Sequence, residues 1–196
     1  MTETTPGFGP TDAELLDLPT VFASDLFKDK VVLVSGGGSG LGKAAALLFA
    51  RLGATLVLCG RNEARLDAAR ELIERLGGAV MTQSMTIRDA DAVNETMEAI
   101  WNRFGCLDVL VNNAGGQFPQ AAIDYSVKGW NAVIDTNLNG TWYMMQAAAR
   151  KWRADHEQDK PVGNIVNMVA DIWRGMPGIA HTCAARAGVV YLSRSV

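Results

Sequence analysis

The stretch "SGGGSGLGKA", residues 35–44, decides the fold. It follows "KVVLVS" (30–35), a short Val-rich apolar run of the kind buried in parallel sheets. It opens a segment of helical periodicity with Leu41, Ala45, Leu48 and Leu52 as the expected apolar stripe and Gly53 as its stop. A glycine loop between a buried strand and a helix lets backbone N–H groups approach a phosphate, and the helix N-terminus favours negative charge. Two motifs fit. Gly37 to Lys43 matches the start of a P-loop, but Ala44 stands where a Ser or Thr should bind Mg²⁺. Gly36, Gly40 and Gly42 form G-x-x-x-G-x-G, one residue longer at its first gap than the common dinucleotide fingerprint. The strand before and the helix after favour the dinucleotide reading.

Working outward, "ATLVLCG" (54–60) is a second strand. Asn62 can cap a helix with the stripe Leu66, Ala69, Ile73 and Leu76, closed by Gly77–Gly78. "AVMTQSM" is a weaker third strand. Asp89 or Asp91 caps a helix whose stripe is Val93, Met97, Ile100 and Phe104, with Gly105 after it. "CLDVLVNNAG" holds a fourth strand. A long helical stretch runs from about 126 to 152, irregular around 137–140, and "NIVNMV" (164–169) is a fifth strand before a last helix near 182. This alternation predicts an α/β, Rossmann-like, doubly wound parallel sheet with helices on both faces. Ligands in such folds lie outside the carboxyl ends of the strands.

Strand two ends Cys59–Gly60–Arg61. NAD-preferring sites usually carry an acid about 20 residues past the glycine loop. With none here, Arg61 is suited to a 2′-phosphate, which points to NADP(H) over NAD(H).

The bulk numbers agree with one globular domain: 196 residues, 48% hydrophobic, 20% charged, net charge −3. No basic stripe suggests nucleic acid, and no apolar run approaches the ~20 residues of a membrane span. The three cysteines and two histidines give no metal-ligand spacing, so no metal is expected. Free thiols and the absence of a signal-like start point to a cytoplasmic protein. Residues 1–24 read as a mobile arm, in which Phe8 or Leu15–Leu18 are the candidates for docking, and 25–196 as the dinucleotide-binding domain.

"SGGGSGLG" (35–42), "NNAG" (112–115), "NLNG" (137–140) and "NIVNMV" (164–169), in that order, resemble the short-chain dehydrogenase/reductase family over about 28–196. "NNAGGQF" (112–118), "KGWNAVIDTNLNGTWYM" (128–144) and "HTCAARAGV" (181–189) are most similar to its trans-2-enoyl-CoA and 2,4-dienoyl-CoA reductase branch and its citronellol or citronellal dehydrogenase-like bacterial members. The resemblance implies that Gly36, Ser39, Gly40, Leu41 and Gly42 line the pyrophosphate. It implies that Asn113, Ala114 and Gly115 support the adenosine ribose side, that Thr86 takes the adenine-contact position, and that Asn137 kinks its helix and holds a proton-relay water. It further implies a homodimer or homotetramer, and a sixth and seventh strand with a substrate lid beyond position 196. On that expectation these residues are a fragment and strand five is an exposed edge.

The family's usual acid is Tyr in Tyr-x-x-x-Lys, with a Ser. Alignment on "AARAGV" puts Thr182 at the Tyr position, Arg186 at the Lys position and Ala170 near the Ser position. Thr182 cannot serve as a general acid, and Arg186 can hold ribose hydroxyls without releasing a proton. Reduction of an enoyl thioester places different demands on the site, because the enolate oxygen needs preorganised donors. His181, Thr182, Arg186 and the Trp173 indole are candidate donors. Asp171 is a candidate proton donor if burial raises its pKa, against pairing with Arg174. Tyr191 and Tyr143 read as core residues. Three functions stay open: an NADP(H)-dependent reductase of an acyl-CoA or terpenoid-like small molecule, an alcohol or aldehyde dehydrogenase with an atypical acid, and a catalytically inactive nucleotide-binding protein.

Overall fold

The computed structural model describes residues 9–196; Phe8 lies outside them. Strands β1 (Val31–Ser35), β2 (Thr55–Gly60), β3 (Val80–Ser84), β4 (Val109–Asn112) and β5 (Asn164–Asn167) form one sheet in the order β3-β2-β1-β4-β5, with every pairing parallel. The chain winds outward from β1 to β3, then crosses back to β4 beside β1. That reversal makes the topological switch point fall between β1 and β4.

The strand residues alternate between two cores. Val32 and Val34 join Leu56 and Leu58 against α2 (Gly40–Arg51) and α3 (Glu63–Arg75). Val31 and Leu33 join Val57 and Leu110 on the other face, under α4 (Ala90–Phe104) and α6 (Gly140–His156). There the Trp152 indole donates to the Leu107 carbonyl at 2.6 Å, and the Trp101 indole to Asp155 at 2.8 Å. β5 is one sheet edge and is only half buried, as expected for the fifth strand.

Helix signals in the sequence were accurate where caps set them. The Asn62 side chain accepts from the Arg65 N–H at 3.0 Å, and Asp89 accepts from the N–H groups of Asp91 and Ala92. Gly105 closes α4 in the left-handed conformation at φ 76°. The expected stripe of α2 held only at its end, where Leu52 is buried; Ala45 and Leu48 are half buried. The buried residues of α2 are Gly42, Ala46, Leu47 and Ala50, and Leu41 is 71% exposed. The helix presents its small side chains to the sheet because Gly42 must abut the Gly36 carbonyl and the Asn113 amide. Close approach therefore sets the rotation of α2, at the expense of burying Leu41.

The long helical stretch is three pieces. α5 (Val127–Ile134) runs into a π-helical turn (Asp135–Asn139), which continues as α6. The expected irregularity at 137–140 is this π turn. The last helix, α7, spans Ala180–Ser195. Tyr191 on α7 is 65% exposed and lies against the Arg194 guanidinium, so it is no core residue, whereas Tyr143 packs against the α4/α6 core.

The stretch read as an arm also carries structure. Helix α1 (Asp12–Asp17) begins with a capping box between Thr11 and Glu14. Leu15 and Leu16 pack on the α2/α3 core, the Arg51 guanidinium donates to the Leu15 carbonyl, and Asp12 pairs with Lys43.

Candidate nucleotide cleft and adjoining pocket

The strand-end loops meet around a cleft of about 720 Å³. One wall is the glycine loop. Gly36 adopts φ 68° and its N–H donates to the Cys59 carbonyl at 2.8 Å. Ser39 is the N-cap of α2, yet its side chain makes no capping bond, which leaves the first N–H groups of this helix without a side-chain acceptor. Lys43 is drawn to Asp12 and does not line the cleft, which removes the P-loop reading.

The loop after β4 grips the glycine loop from below. The Ser35 hydroxyl accepts from the N–H groups of Asn113 at 3.1 Å and Ala114 at 3.0 Å. The Asn113 amide donates back to the Ser35 carbonyl at 3.0 Å and the Gly36 carbonyl at 3.4 Å. Asn113, Ala114 and Gly115 thus stand with Gly36, Ser39 and Leu41 on one cleft, and Arg61 and Thr86 close its far side. The Thr86 hydroxyl accepts from the Arg88 N–H at 3.3 Å, so it orders the loop after β3. Gly40 and Gly42 shape the turn without lining the cleft: Gly40 has φ 54° and open space around it, while Gly42 sits flush against Gly36. Cys59 lies in the cleft floor, fully buried, and burial pushes its thiol up to about 12.

Two charged lining residues escaped the sequence reading. Arg65, in the first turn of α3, stands over Gly38, and Arg88 follows β3. Each looks in the sequence like a solvated helix or loop charge. Only parallel pairing of β1, β2 and β3 brings them to the same cleft. Among the described residues, no carboxylate lies within 4.0 Å of Arg61 or Arg65, whereas Arg88 pairs with Asp135 at 3.6 Å.

A second, smaller pocket of about 190 Å³ shares Leu41 and Asn113 with the cleft. Of the residues singled out for chemistry it contains Asn137, Thr182 and Arg186, together with Ala170, but not Asp171, Trp173 or His181. Asn137 is 1% exposed. Its side chain clamps Gly116, accepting from the N–H and donating to the carbonyl, both at 2.9 Å. Both ends of the amide that the resemblance assigned to a relay water are thus engaged with this loop. The π turn frees the Asn137 carbonyl, which accepts from the Thr141 hydroxyl at 3.1 Å and the Arg186 guanidinium at 3.5 Å.

Arg186 is 8% exposed and has no carboxylate partner among the described residues. Burial lowers its pKa from the usual arginine value. Its guanidinium occupies the space that a side chain on Gly115 would fill.

Asp171 is not in this pocket. It is exposed, and its carboxylate accepts from the Trp173 N–H at 3.3 Å in a bend. The burial that its proposed acid role required is absent, and no ion pair joins it to Arg174. The Trp173 indole is 87% exposed and outside the pocket as well. His181 is fully buried behind the pocket. Its ring stacks on Tyr125 at 4.4 Å and meets Phe118 edge-on at 4.7 Å, and its Nδ1 accepts from the Thr182 N–H at 2.8 Å. With Nδ1 accepting, the proton belongs on Nε2. His181 therefore seats the start of α7 and is not aimed at the pocket.

A glycine turn feeding a helix at the switch point of a parallel sheet is the Rossmann-like arrangement, whose ligands lie at the carboxyl ends of the strands. The model of the short chain dehydrogenase family matches residues 30–196, and the chain belongs to that family. It is 39% identical over 168 residues to a Bacillus subtilis protein named "Probable 2,4-dienoyl-CoA reductase [(2E)-enoyl-CoA-producing]", covering 85% of this chain and 65% of that one. It is 32% identical to the rat "Peroxisomal 2,4-dienoyl-CoA reductase [(3E)-enoyl-CoA-producing]", covering 94% of this chain and 64% of that one. The solved structure of a citronellol catabolism dehydrogenase from Pseudomonas aeruginosa superposes with a TM-score of 0.80 at 37% identity, over 90% of this chain and 70% of that one. The chain thus spans about two thirds of the length of the curated relatives it matches. The family uses nicotinamide nucleotides. Among the described residues no cluster of His, Cys, Asp or Glu could hold a metal ion, and no helix is long and apolar enough to cross a membrane.

Proposed function

We propose that the protein is an NADP(H)-dependent oxidoreductase that reduces an enoyl-CoA or related unsaturated, terpenoid-like acyl substrate. The residues present fit the cofactor on three counts. The α2 N-terminus has N–H groups without a side-chain cap, the Gly36–Gly42 contact lets backbone approach a pyrophosphate, and two unneutralised arginines stand at the end of the cleft where a 2′-phosphate belongs. When bound, the nicotinamide ring supplies the hydride.

The observation that carries the substrate class is the lining of the small pocket. Its polar side chains are Asn113, Gln117, Asn137, Thr182 and Arg186; the amides of Asn113 and Asn137 already donate to neighbouring carbonyls, so Gln117, Thr182 and Arg186 are the donors it offers, and none of them is an acid suited to neutral pH. Such a site is better suited to stabilising a developing enolate oxygen than to protonating an alkoxide. In this reading Arg186 supplies the cation, holding ribose hydroxyls and raising the electrostatic potential where negative charge grows. Thr182 offers a hydroxyl, and Asn137 keeps the Gly116 loop and the Arg186 guanidinium in register. Leu41, Met168 and Val169 line the same pocket and give it apolar surface suited to an acyl chain.

Absorbance of NADPH should fall with crotonyl-CoA or a longer enoyl-CoA. Turnover of citronellal or simple ketones without turnover of enoyl thioesters would replace this reading by a carbonyl reductase. Tight NADPH binding with no turnover of any of them would favour a catalytically inactive nucleotide-binding protein, the reading that Ala170, Thr182 and Arg186 also permit.

A further inference from the structure

His181 is fully buried behind the small pocket, caged by the stretch between β4 and α5. Tyr125 lies nearly parallel to its ring at 4.4 Å, and Phe118 meets it edge-on at 4.7 Å. The same stretch grips the chain just before His181. The Gly178 carbonyl accepts from the Gln120 N–H at 2.8 Å and from the Tyr125 hydroxyl at 3.1 Å. Held this way, the ring turns Nδ1 toward Thr182, 2.8 Å from its N and 3.4 Å from its Oγ1. Nε2 is left buried without a hydrogen-bond partner among the described residues.

Thr182 differs from the other threonines of helical turns. Thr96, Thr136 and Thr141 each donate the hydroxyl to the carbonyl four residues back, at 2.8, 2.9 and 3.1 Å, the common outlet for a helical threonine. Four residues before Thr182 stands Gly178, whose carbonyl is engaged by Gln120 and Tyr125 instead. Among the described residues, the one polar contact of the Thr182 hydroxyl is His181 Nδ1. That nitrogen has a single acceptor lone pair in a neutral imidazole, and the nearer Thr182 N–H takes it. The hydroxyl is thus left to donate into the pocket that Thr182 lines. Resting on the reading of this pocket as the reaction site, we infer that His181 is a positioning residue: in its Nε2–H form it anchors residue 182 through Nδ1 and reserves the Thr182 hydroxyl for a substrate oxygen. A ring carbon in place of Nδ1 cannot approach the Thr182 N so closely, so the start of α7 shifts and carries the hydroxyl with it.

The test is a double-mutant cycle on kcat with crotonyl-CoA and NADPH, with thermal unfolding as the folding control. Thr182→Val should lower kcat about a hundredfold, as loss of one donor to a developing oxyanion does. His181→Phe keeps the stacked ring and should lower kcat about tenfold by misplacing that donor, with NADPH affinity unchanged within about twofold. In the Thr182→Val background His181→Phe should have no further effect. A second readout needs no turnover. His156 and His181 are the two histidines of the chain, so a ¹⁵N spectrum of the imidazoles, assigned with His181→Phe, should show His181 protonated on Nε2 alone. If His181→Phe does not fold, this spectrum of the wild type, assigned with His156→Gln, decides. The inference is overturned if His181→Phe leaves kcat unchanged, if it costs the same factor with and without the Thr182 hydroxyl, if it weakens NADPH as much as it slows turnover, or if Nδ1 carries a proton. Turnover of citronellal without crotonyl-CoA sinks the enoyl reading alone, and the same cycle on citronellal then decides the role of His181. If the wild type turns over neither, the pocket is not a reaction site and the role of His181 fails with it.

Discussion

Two glycines of the loop, Gly40 and Gly42, make opposite demands, and exchanging each for alanine separates them. A Cβ on Gly42 would overlap the Gly36 carbonyl oxygen and the Asn113 Nδ2, and it would lie 2.9 Å from the Gly36 carbonyl carbon. Neither neighbour can give way cheaply. The Gly36 carbonyl is backbone in a tight turn, and the Asn113 amide is committed to the Ser35 and Gly36 carbonyls. Overpacking of this kind costs about 1–3 kcal/mol, and losing the Asn113 bonds adds roughly 1 kcal/mol each. Gly42→Ala should therefore destabilise by about 3–5 kcal/mol, which for a chain of this size lowers Tm by roughly 6–20 °C. The glycine turn must also move, so NADPH affinity should fall at least about tenfold. Gly40 has nothing within 4 Å of its missing Cβ, and its only demand is φ 54°. Gly40→Ala should cost about 1–2 kcal/mol in backbone strain, and Gly40→Asn less, because Asn visits this region more readily. Differential scanning calorimetry and NADPH titration read both effects. A Gly42→Ala protein that melts and binds like the wild type would refute the account of why the helix is rotated as it is.

Other outcomes follow from the same geometry. Arg61→Asp should shift the ratio of NADPH to NADH affinity toward NADH by about tenfold or more, and an unchanged ratio would remove Arg61 from the phosphate end. Cys59 bears on stability at high pH. Its folded thiol is held at about 12 against 9.0 unfolded, so between these values the unfolded chain loses a proton that the folded one keeps. Stability should then fall as pH rises through that window, by up to about 1.4 kcal/mol per unit, and Cys59→Ala should abolish that component of an alkaline unfolding titration. At pH 8, iodoacetamide should modify Cys106, which is exposed, and leave Cys59 untouched until the protein unfolds, as read by intact mass. Gly115→Ala should displace the Arg186 guanidinium and depress turnover about as much as Arg186→Leu does; full activity in Gly115→Ala would show that the guanidinium position is immaterial.

The succession of strands and helices along the chain, the caps at Asn62 and Asp89, and the break in the long helix were legible because each is set by neighbours in sequence. The rotation of α2 was not, since an Ala/Leu-rich helix offers more than one apolar face and Gly42 chooses among them by touching a loop 71 residues away. Asp171 illustrates the converse. Its place beside a strand end suggested chemistry, but the next residues fold into a bend that uses its carboxylate for the Trp173 N–H and leaves it in solvent. Arg65 and Arg88 were invisible as site residues because a charged side chain on a first turn or in a loop reads as solvated in any single sequence. Tyr191 was misplaced for a related reason: α7 is mildly amphipathic, and its inner face is defined by His181, Thr182, Ala185, Arg186 and Val189.

The inclusion of Arg186 on that inner face bears on the function. A buried guanidinium with one hydrogen bond, at 3.5 Å to a carbonyl, is costly, because its desolvation is offset by no anion among the described residues. An apolar residue of similar volume would pack there at lower free energy. The cost is balanced only when something else brings oxygen or negative charge to the pocket. Nucleotide binding should therefore raise Tm in the wild type by more than in Arg186→Leu, even if Arg186→Leu alone is no less stable, since linkage to ligand adds only to the form that binds it. Equal increments in the two proteins at saturating NADPH would mean that Arg186 contributes nothing to the bound state, and the enolate-stabilising reading of the pocket would lose its cation.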